Sequence, residues 1–342
     1  MLVNLNSPMN LEEVAKRAKV STSTVSRVLN NIDVVKTSTR TRVMKAIADL
    51  KYQPNLHARS LAASKSRTIG VIVSNMENPF FFDIFRAVEA DAHANGYEVF
   101  VANTGYRAEQ LVRSVRLMIG RRVAGLAAIV SEMDSELIEE LTHSRIPVVF
   151  YDVGTPASNI TNIRVEYQKG IQSLVKHLHE LGHKRLAFVG HHSTLRPIDE
   201  RRKAFLEAVA QYTPHSDVRT VANSDRLEGG RDAARELLES GFIPTAIVCV
   251  NDFMAVGVLR ELRERGLDVP RDVSVTGFDN IMLSEFCYPP LTTLDIPRDR
   301  IGRIVLEHLI SADEHMSANT GREIVIDPVL VVRQSTARAK AT

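Results

Sequence analysis

Residues 11–31 read LEEVAKRAKVSTSTVSRVLNN, and they predict two short helices joined by a tight turn. Apolar residues recur in each half at the spacing of one helix face. A third segment of the same kind follows, with Val43, Ile47 and Leu50 on one side. Helices this short are not stable alone, so we expect the three to share one small core. The stretch therefore predicts an all-α head.

The second helix presents a face of short polar side chains. With Val25 turned toward the core, Ser21 precedes the first turn as an N-cap. The residues on the opposite, polar face are Thr22, Ser23, Ser26, Arg27 and Asn30. Hydroxyl groups can lie close to base edges in a major groove, and an arginine can pair bidentately with guanine. A solvated face would more usually carry Lys and Glu, so we expect this helix to recognise double-stranded DNA.

The charge of the chain is split between its two ends. Residues 1–67 hold 12 Lys and Arg against 4 Asp and Glu, a net charge of +8, whereas the rest holds 31 against 37, a net charge of −6. A basic head on a mildly acidic body indicates a head that meets a polyanion. A merely solvated basic surface would carry the same charge, so the charge supports DNA binding without deciding it.

From Thr68 onward, short apolar runs alternate with helical stretches. The runs are rich in β-branched residues and barely alternate, which is typical of strands buried on both faces. Such an alternation favours doubly wound α/β domains, in which ligands lie at the carboxyl ends of the strands. The expected strands read TIGVIVS, YEVFVAN, VAGLAAIV, PVVFYDV, RLAFVG, AIVCVN and VSVTGFD.

Composition bounds the class of protein. Of the 342 residues, 44% are apolar and 25% charged, and no stretch approaches the roughly 18 uninterrupted apolar residues of a membrane span. The N-terminus, MLVNLNSPMN, lacks the features of a signal peptide, and we expect a cytoplasmic protein without membrane contact. Cys249 and Cys287 stand in no metal or redox spacing, so we expect core residues and neither a metal nor a cofactor.

Residues 179–183 raise an enzyme hypothesis. They read HELGH, which matches the H-E-x-x-H pattern of zinc hydrolases, where two histidines one turn apart bind zinc and the glutamate is the base. Such a site needs one continuous helix, whereas Gly182 is a good helix terminator and a strand follows at Arg185. We therefore predict a helix-to-strand corner and no catalytic residue, with a zinc hydrolase as a remote alternative.

Several motifs follow one another in a fixed order along the chain. They are LEEVAKRAKVSTSTVSRVLNN, TRTRVMKAIADLKYQPNLHARSLA, NPFF, HELGHKRLAFVG, NDFMAVGVLRELRERGLDVPRDVSVTGFDN and PPLTTL. Together they resemble the lac repressor (LacI/GalR) family of bacterial transcription regulators, over nearly the whole chain. The resemblance implies a small all-α helix-turn-helix head plus an α/β body, whose two doubly wound parallel-sheet lobes are of the periplasmic-binding-protein type.

The same resemblance implies domain boundaries. Residues 9–53 are expected to form the DNA-binding head, residues 54–67 a hinge helix or linker, and residues 68–342 a body for effector binding and dimerisation. The expected lobes are residues 68–167 with 298–326, and residues 168–297 with 327–342.

Position by position, the resemblance places base reading on Thr22, Ser23 and Arg27. It places a minor-groove wedge on Leu61, beside Arg59 in the segment ARSLA. A lone leucine on a polar segment suits a wedge, because apolar side chains can part a base step and kink the duplex. A leucine that docks on the core of the head is the alternative.

One departure from the family lies at the third helix. Relatives often carry a serine cap and acidic residues there, whereas this chain has Lys36, Thr37 and Ser38. We expect the helix cap to move to Thr37. Lys36 then lies at the positive helix end, which is tolerable if a DNA phosphate is close by.

By resemblance, a small molecule binds between the lobes of the body. Carboxylates and arginine form charge-assisted bonds to vicinal hydroxyls, asparagine both donates and accepts, and aromatic rings cover the apolar side of a sugar. Taken singly, each residue also has an ordinary explanation, such as a helix start, a turn after a strand or a surface charge. The implied residues are Phe80, Phe81, Arg201, Asn251 and Asp279.

Asp225 stands where relatives can hold an aromatic residue, by an alignment on Gly230. This favours a small polar effector, a sugar or sugar derivative, over a purine or nucleoside corepressor, which stays the alternative. One head reads few base pairs, so we expect a homodimer on a near-palindromic operator and, by resemblance, a repressor. The sequence does not give the identity of the effector, nor whether it releases or strengthens DNA binding.

Overall fold

A computed structural model describes residues 11–29, 32, 34–52, 66–133, 135–144, 146–192, 195–314 and 321–340. The chain divides into two compact units, residues 1–66 and residues 67–342. The first contains helices alone among its described residues, and the second is an α/β body with two parallel sheets. The expected fold class is confirmed.

Three helices form the head, and their apolar faces share one core. They are α1 (Leu11–Ala18), α2 (Thr22–Leu29) and α3 (Thr37–Leu50). Val14, Val25 and Val43 meet at its centre and are fully buried. Helix α3 ends because Lys51 takes a left-handed conformation (φ 48°), from which its backbone N–H donates back to the Ala48 carbonyl (3.1 Å).

The body alternates strands and helices along the chain. Its strands are β1 (Thr68–Val73), β2 (Glu98–Asn103), β3 (Gly125–Ile129), β4 (Val148–Tyr151), β5 (Ile160–Val165), β6 (Arg185–His191), β7 (Asp217–Asn223), β8 (Ala246–Cys249), β9 (Ser274–Thr276), β10 (Thr293–Asp295), β11 (Glu323–Ile326) and β12 (Val329–Val331). Its helices are α4 (Pro79–Ala94), α5 (Ala108–Gly120), α6 (Ser135–His143), α7 (Tyr167–Glu180), α8 (Arg196–Tyr212), α9 (Leu227–Glu239), α10 (Asp252–Glu264), α11 (Met282–Phe286) and α12 (Arg298–Glu314).

The first lobe contains a six-stranded parallel sheet in the order β11-β5-β4-β3-β1-β2. Strand β1 lies between β2 and β3, with Ile69 opposite both Val99 and Gly125. Strands β3 and β4 are buried along their whole length, as unbroken apolar runs predict. The carboxyl ends of these strands, and the loops that follow them, form one wall of a cleft.

The second lobe contains a four-stranded parallel sheet in the order β7-β6-β8-β9. Helices α9 and α10 pack closely against each other: a Cβ atom on Gly257 would lie 1.9 Å from the Leu227 carbonyl oxygen, so the approach requires glycine. Both helices begin at the edge of the sheet that faces the first lobe. Their N-terminal ends therefore supply the opposite wall of the cleft.

Within the described residues, the chain crosses between the lobes three times. It leaves the first sheet after β5, returns to it as β11, and then runs back along the second lobe. There the Val275 N–H donates to the Ser335 carbonyl (2.9 Å), and the Ala339 N–H donates to the Leu181 carbonyl (2.9 Å). Strand β12 pairs antiparallel with β10 in a separate ribbon. Each lobe is thus assembled from segments distant in sequence.

Candidate functional site

Helix α2 exposes the polar face that its sequence predicts, while Val25 and Val28 lie in the core of the head. Ser26 is half-buried at the margin of this face. The exposed residues are Ser21, Thr22, Ser23 and Arg27. Short hydroxyl side chains beside a long cationic one can lie along the base edges and phosphates of a groove.

Ser21 organises the start of α2. Its Oγ accepts a hydrogen bond from the backbone N–H of Thr24 (3.3 Å), as an N-cap does. The same Oγ lies 2.8 Å from the Ser23 hydroxyl and 2.9 Å from the Thr24 hydroxyl. The first turn is thus fixed by side-chain hydrogen bonds, and Thr22 and Arg27 extend from a rigid element.

Lys36 occupies the N-cap position of α3, with its side chain exposed. The expected cap at Thr37 is wrong, because Thr37 is already helical and no side chain caps this helix. Instead, the Lys36 carbonyl accepts from the backbone N–H groups of Thr39 (2.9 Å) and Arg40 (3.0 Å). A cation at an uncapped helix start forms a positive site that suits a phosphate.

Three residues predicted to contact DNA lie outside the described residues. They are Asn30, Arg59 and Leu61, and most of the expected hinge, residues 54–65 of 54–67, lies outside as well. The wedge at Leu61 therefore stays a prediction.

A cavity of about 40 Å³ lies in the cleft between the lobes, where the carboxyl ends of both sheets meet. All five residues predicted for an effector site line it, although they come from four segments that are far apart in sequence. They are Phe80 and Phe81 from the first lobe and Arg201, Asn251 and Asp279 from the second. This is the place where doubly wound folds bind ligands.

Helix α4 positions the aromatic wall of the cavity. Its N-cap is Asn78, whose Oδ1 accepts from the Phe80 N–H (3.1 Å). The rings of Phe80 and Phe81 meet edge to face with centroids 5.3 Å apart, and Phe80 lies 5.7 Å from the Tyr151 ring. These rings give the cavity an apolar side that can cover a ring-shaped ligand.

Arg201 of α8 lies over two aromatic rings, with its guanidinium carbon 4.7 Å from the Tyr167 centroid and 4.4 Å from the Phe278 centroid. Nη1 donates to the Val250 carbonyl (2.9 Å), and Nη2 donates to the Tyr167 hydroxyl (3.3 Å). Nε is buried and has no hydrogen-bond partner among the described residues. An unpaired buried donor is costly, so a ligand oxygen here would be stabilised.

Asp279 follows β9 with an unusual left-handed backbone (φ 106°), the kind of strain that gathers at functional positions. The side chain is buried, and Oδ1 has no partner within the described part of the chain. Burial raises the pKa of Asp279 to about 7, although Arg201 and Arg298 lower it. The carboxyl group therefore titrates near neutral pH and would gain from a hydroxyl donor on a ligand.

Asp225 joins the two lobes from the loop between β7 and α9. Its Oδ2 accepts hydrogen bonds from three side chains of the first lobe: Asn75 (3.3 Å), Asn78 (3.5 Å) and the Tyr106 hydroxyl (2.5 Å). Its Oδ1 accepts from Nδ2 of Asn251 (2.6 Å) in the second lobe. The aspartate that the sequence marked as unusual therefore spans the closed cleft.

The HELGH segment forms the predicted helix-to-strand corner. Helix α7 ends at Glu180, Gly182 is left-handed (φ 84°), and the ring of His183 is tied to the Ala337 carbonyl (3.0 Å) beyond the helix end. His179 and His183 therefore do not share a helix face. Within the described residues, no three His, Cys, Asp or Glu side chains are grouped to hold a metal ion. No helix there combines the length and apolarity needed to cross a membrane.

Several residues of the cavity were missed by the sequence analysis. Tyr151 ends β4 and Tyr167 begins the helix after β5, so the rule that ligands lie at the carboxyl ends of strands could have found them. Asn78 stands before a proline and an aromatic run, which is a helix-cap signal. Tyr106 lies in a loop that carries no such signal.

Two family models match the chain. Residues 10–55 match bacterial regulatory proteins of the lacI family, and residues 175–336 match a periplasmic binding protein-like domain. The chain is also 33% identical, over 327 residues, to the HTH-type transcriptional repressor CytR of Escherichia coli (strain K12), with 95% of this chain and 96% of that protein covered.

The fold is similar to that of solved regulators. A lac repressor dimer bound to operator and the anti-inducer ONPF matches with a TM-score of 0.83 at 27% identity, covering 97% of this chain and 100% of that chain. A LacI family transcriptional regulator from Enterococcus faecium with bound ribose matches with a TM-score of 0.71 at 26% identity, covering 80% and 100% of the two chains.

Proposed function

This chain belongs to the lacI family of bacterial regulatory proteins, and we propose on that premise that it is a DNA-binding transcriptional repressor controlled by a small polar effector. The head binds double-stranded operator DNA through α2. The effector binds in the cleft of the body and changes operator affinity. The proposal assigns no catalytic role to any residue.

The observation that carries the proposal is the convergence of side chains in the cleft. Five residues implied by the family resemblance line one cavity, and two of them, Arg201 and Asp279, each bring a buried polar atom without a partner among the described residues. Natural proteins rarely leave such groups unsatisfied, and each marks a place that a ligand would complete. The exposed polar face of α2 supplies the matching DNA-binding surface.

The chemistry of the cleft favours a sugar or a sugar derivative as the effector. Arg201 and the NH₂ group of Asn251 donate, Asp279 accepts, and Phe80 offers an apolar face, which together suit a ring with several hydroxyl groups. The ribose-bound relative supports this class. A purine or nucleoside corepressor is the alternative, and it is disfavoured because Asp225 stands where relatives can hold an aromatic residue, by the alignment on Gly230.

A homodimer on a near-palindromic operator completes the proposal. Each good bidentate contact discriminates between bases by about 1–3 kcal/mol, so the few contacts of one α2 helix are too weakly selective for a genome. Two heads on two half-sites double that discrimination. The lac repressor that this chain resembles was solved as a dimer on its operator.

Selection of operators from random double-stranded DNA tests the proposal. We expect the full-length protein to enrich a near-palindromic sequence. A panel of sugars and nucleosides is then screened for compounds that change affinity for this DNA, measured by fluorescence anisotropy. Couplings of this kind typically change affinity by about 5- to 150-fold.

Asp279→Ala and Arg27→Ala serve as matched variants in that assay. We expect Asp279→Ala to lose the response to the effector and to keep the operator affinity of the ligand-free protein if the effector is an inducer. Arg27→Ala should show the reverse: a lower affinity for the operator, with effector binding unchanged. If no sequence is enriched, or if Asp279→Ala responds as the unsubstituted protein does, the proposal is wrong.

A further inference from the structure

The carboxylate of Asp225 is held by donors from both lobes. It is 5% exposed, and it accepts hydrogen bonds from Asn75, Asn78 and Tyr106 on one side and from Asn251 on the other. In addition, the Asp225 carbonyl accepts from Nδ2 of Asn75 (3.2 Å). One side chain thus satisfies four donors that line or adjoin the cavity.

The fold fixes the direction of two of these donors. Asn78 is the N-cap of α4 and Asn251 the N-cap of α10, and each gives its Oδ1 to its own helix, accepting from Phe80 (3.1 Å) and Met254 (2.8 Å). Because the amide oxygen is used by the helix, the NH₂ group must point away from the helix and into the cleft. Both lobes therefore present preset donors to whatever lies between them.

The cleft is closed around this carboxylate. Its cavity of about 40 Å³ is far below the ~300–1,000 Å³ of ordinary ligand pockets, so the lobes must separate before an effector enters. The contacts between Asp225 and the first lobe must then break, together with the ring contact of Tyr106 with His191. The neighbouring ion pair of Arg226 with Glu77 (3.3 Å) adds little, because both side chains are 59% exposed.

On the basis of the function proposed above, we propose that Asp225 determines the specificity of the cleft by acting as a built-in ligand of the first lobe. An effector displaces it by inserting neutral hydroxyl groups between the Asp225 carboxylate and the donors of Asn75, Asn78 and Tyr106. The effector is therefore an uncharged polyol, and phosphorylated or carboxylated compounds are excluded.

A hydroxyl group suits the space between Asp225 and the first lobe because it can donate and accept at the same time. A hydroxyl accepts from Asn78 or Tyr106 and at the same time donates to Asp225. A phosphate dianion or a carboxylate only accepts, and it would lie beside both Asp225 and Asp279 in a low-dielectric cavity. Among the lining residues that the structure describes, Arg201 is the one Lys or Arg. An ammonium group donates to Asp225 but cannot accept from the first lobe.

Asp225→Ala tests the built-in ligand without any effector. The native cysteines are removed from the full-length protein by Cys249→Ala and Cys287→Ala. Spin labels are then attached through Glu89→Cys of α4 and Glu236→Cys of α9, two exposed positions. The labelled protein is diluted with unlabelled protein so that distances within one chain are measured. Pulsed EPR then measures the distance between the lobes of one chain. We expect Asp225→Ala to lengthen this distance by more than about 2 Å, the scale of a domain rearrangement.

Formate provides the sharper half of this test. As a free carboxylate, it should bind the donors that Asp225→Ala leaves empty and restore the short distance, without changing the distance in the parent protein. Arg226→Ala is the matched control, because it removes only the exposed ion pair and should leave the distance unchanged. If Asp225→Ala does not fold, Asp225→Asn keeps the size, removes the charge and should also lengthen the distance.

Matched pairs of compounds test the exclusion of anions. Calorimetry on the full-length protein measures the binding of three pairs of compounds. They are ribose and ribose 5-phosphate, glucose and glucose 6-phosphate, and adenosine and adenosine 5′-monophosphate. We expect the neutral member of a pair to bind at least tenfold more tightly than its phosphate. A phosphate that binds as tightly as its neutral parent overturns the proposal, as does an unchanged lobe distance in both Asp225 variants.

The two proposals fail in different ways. Neither the distance nor the calorimetry involves DNA, so rescue by formate upholds the role of Asp225 even if no compound changes operator binding. In that case the proposed effector control fails alone. Conversely, an effector that acts on the operator while Asp225→Ala keeps its lobes closed removes Asp225 from the mechanism and leaves the repressor intact.

Discussion

At the scale of single residues, Asp279 links the cleft to pH. Burial raises its pKa from 3.8 to about 7 in the folded protein, with Arg201 and Arg298 acting in the opposite direction. Between pH 3.8 and about pH 7 the folded state therefore binds more protons than the unfolded state. The contribution of Asp279 to the free energy of unfolding is lost as the pH rises through about 7. A shift of this size corresponds to about 4 kcal/mol.

Asp279→Asn should remove this dependence because the amide cannot ionise. We expect the unfolding free energy of the parent protein, relative to this variant, to fall between pH 4 and pH 8, as measured by denaturant titration at each pH. Asp299→Asn, which removes an exposed carboxylate instead of a buried one, is the matched control. Parallel curves for the parent and Asp279→Asn would contradict the assignment.

Arg27 and Lys36 are expected to make different contacts with DNA: Arg27 with a base, and Lys36 with a backbone phosphate. Arg27→Ala should weaken operator binding by about 1–3 kcal/mol and relax preference at one symmetric pair of positions, because a bidentate base contact is lost. Lys36→Ala should weaken all sequences alike and reduce the salt slope by about one unit per head. Binding to operator and scrambled DNA at several salt concentrations distinguishes them. Equal losses for both DNAs on Arg27→Ala would make α2 a backbone clamp.

Some residues of the candidate site could be predicted from the sequence, whereas their contacts could not. Phe80, Arg201 and Asn251 could be placed in the cleft because the resemblance to the family implies them, and the structure brings them together there. The hydrogen bonds of Asp225 could not be predicted, because they depend on how far the two lobes close. The burial that raises the pKa of Asp279 likewise belongs to the closed cleft rather than to any local stretch.

At the scale of elements, the start of α10 combines a structural and a recognition role in Asn251. Its Oδ1 caps the helix through Met254, and its Nδ2 donates to Asp225. Asn251→Ser keeps a cap and loses the donor, whereas Asn251→Ala loses both. We expect Asn251→Ala to be less stable than Asn251→Ser by about 1 kcal/mol, the usual value of a cap, in denaturant unfolding.

The same pair of substitutions at Asn78 of α4 provides a second test, because Asn78 also caps its helix with Oδ1 and donates to Asp225 with Nδ2. Equal stability of the serine and alanine variants at both positions would show that neither oxygen caps its helix.

Elements differ in how well their sequence predicts them. Buried strands such as β3 and β4 can be predicted from their unbroken apolar runs. Strand β5 was missed because it buries the polar residues Thr161 and Asn162. Strand β7 was missed because it lies at a sheet edge and none of its residues is fully buried. The cap of α3 was assigned wrongly because propensity favours Thr37, whereas the chain enters the helix one residue earlier.

At the scale of the whole molecule, two heads are expected to act on one DNA. If the protein binds as a homodimer, an operator with both half-sites should bind far more tightly than DNA with one half-site scrambled. Inserting half a helical turn, about 5 base pairs, between half-sites should cost as much as scrambling, because the second head then faces the wrong side of the duplex. Anisotropy titrations measure both. Equal affinity for one and two half-sites would exclude the dimer as the binding species.

Because the chain crosses between the lobes three times, the body is expected to melt as one unit. Each lobe contains a segment that is joined in sequence to the other lobe: β11 belongs to the first, and the C-terminal segment that follows it binds the second. We therefore expect neither lobe to unfold while the other stays folded. Scanning calorimetry should show a single transition for residues 67–342, with equal calorimetric and van't Hoff enthalpies. Two transitions in this part of the chain would contradict it. A nonsense codon before β11 would remove an edge strand from one sheet and the C-terminal segment from the other lobe, so both lobes would be lost together.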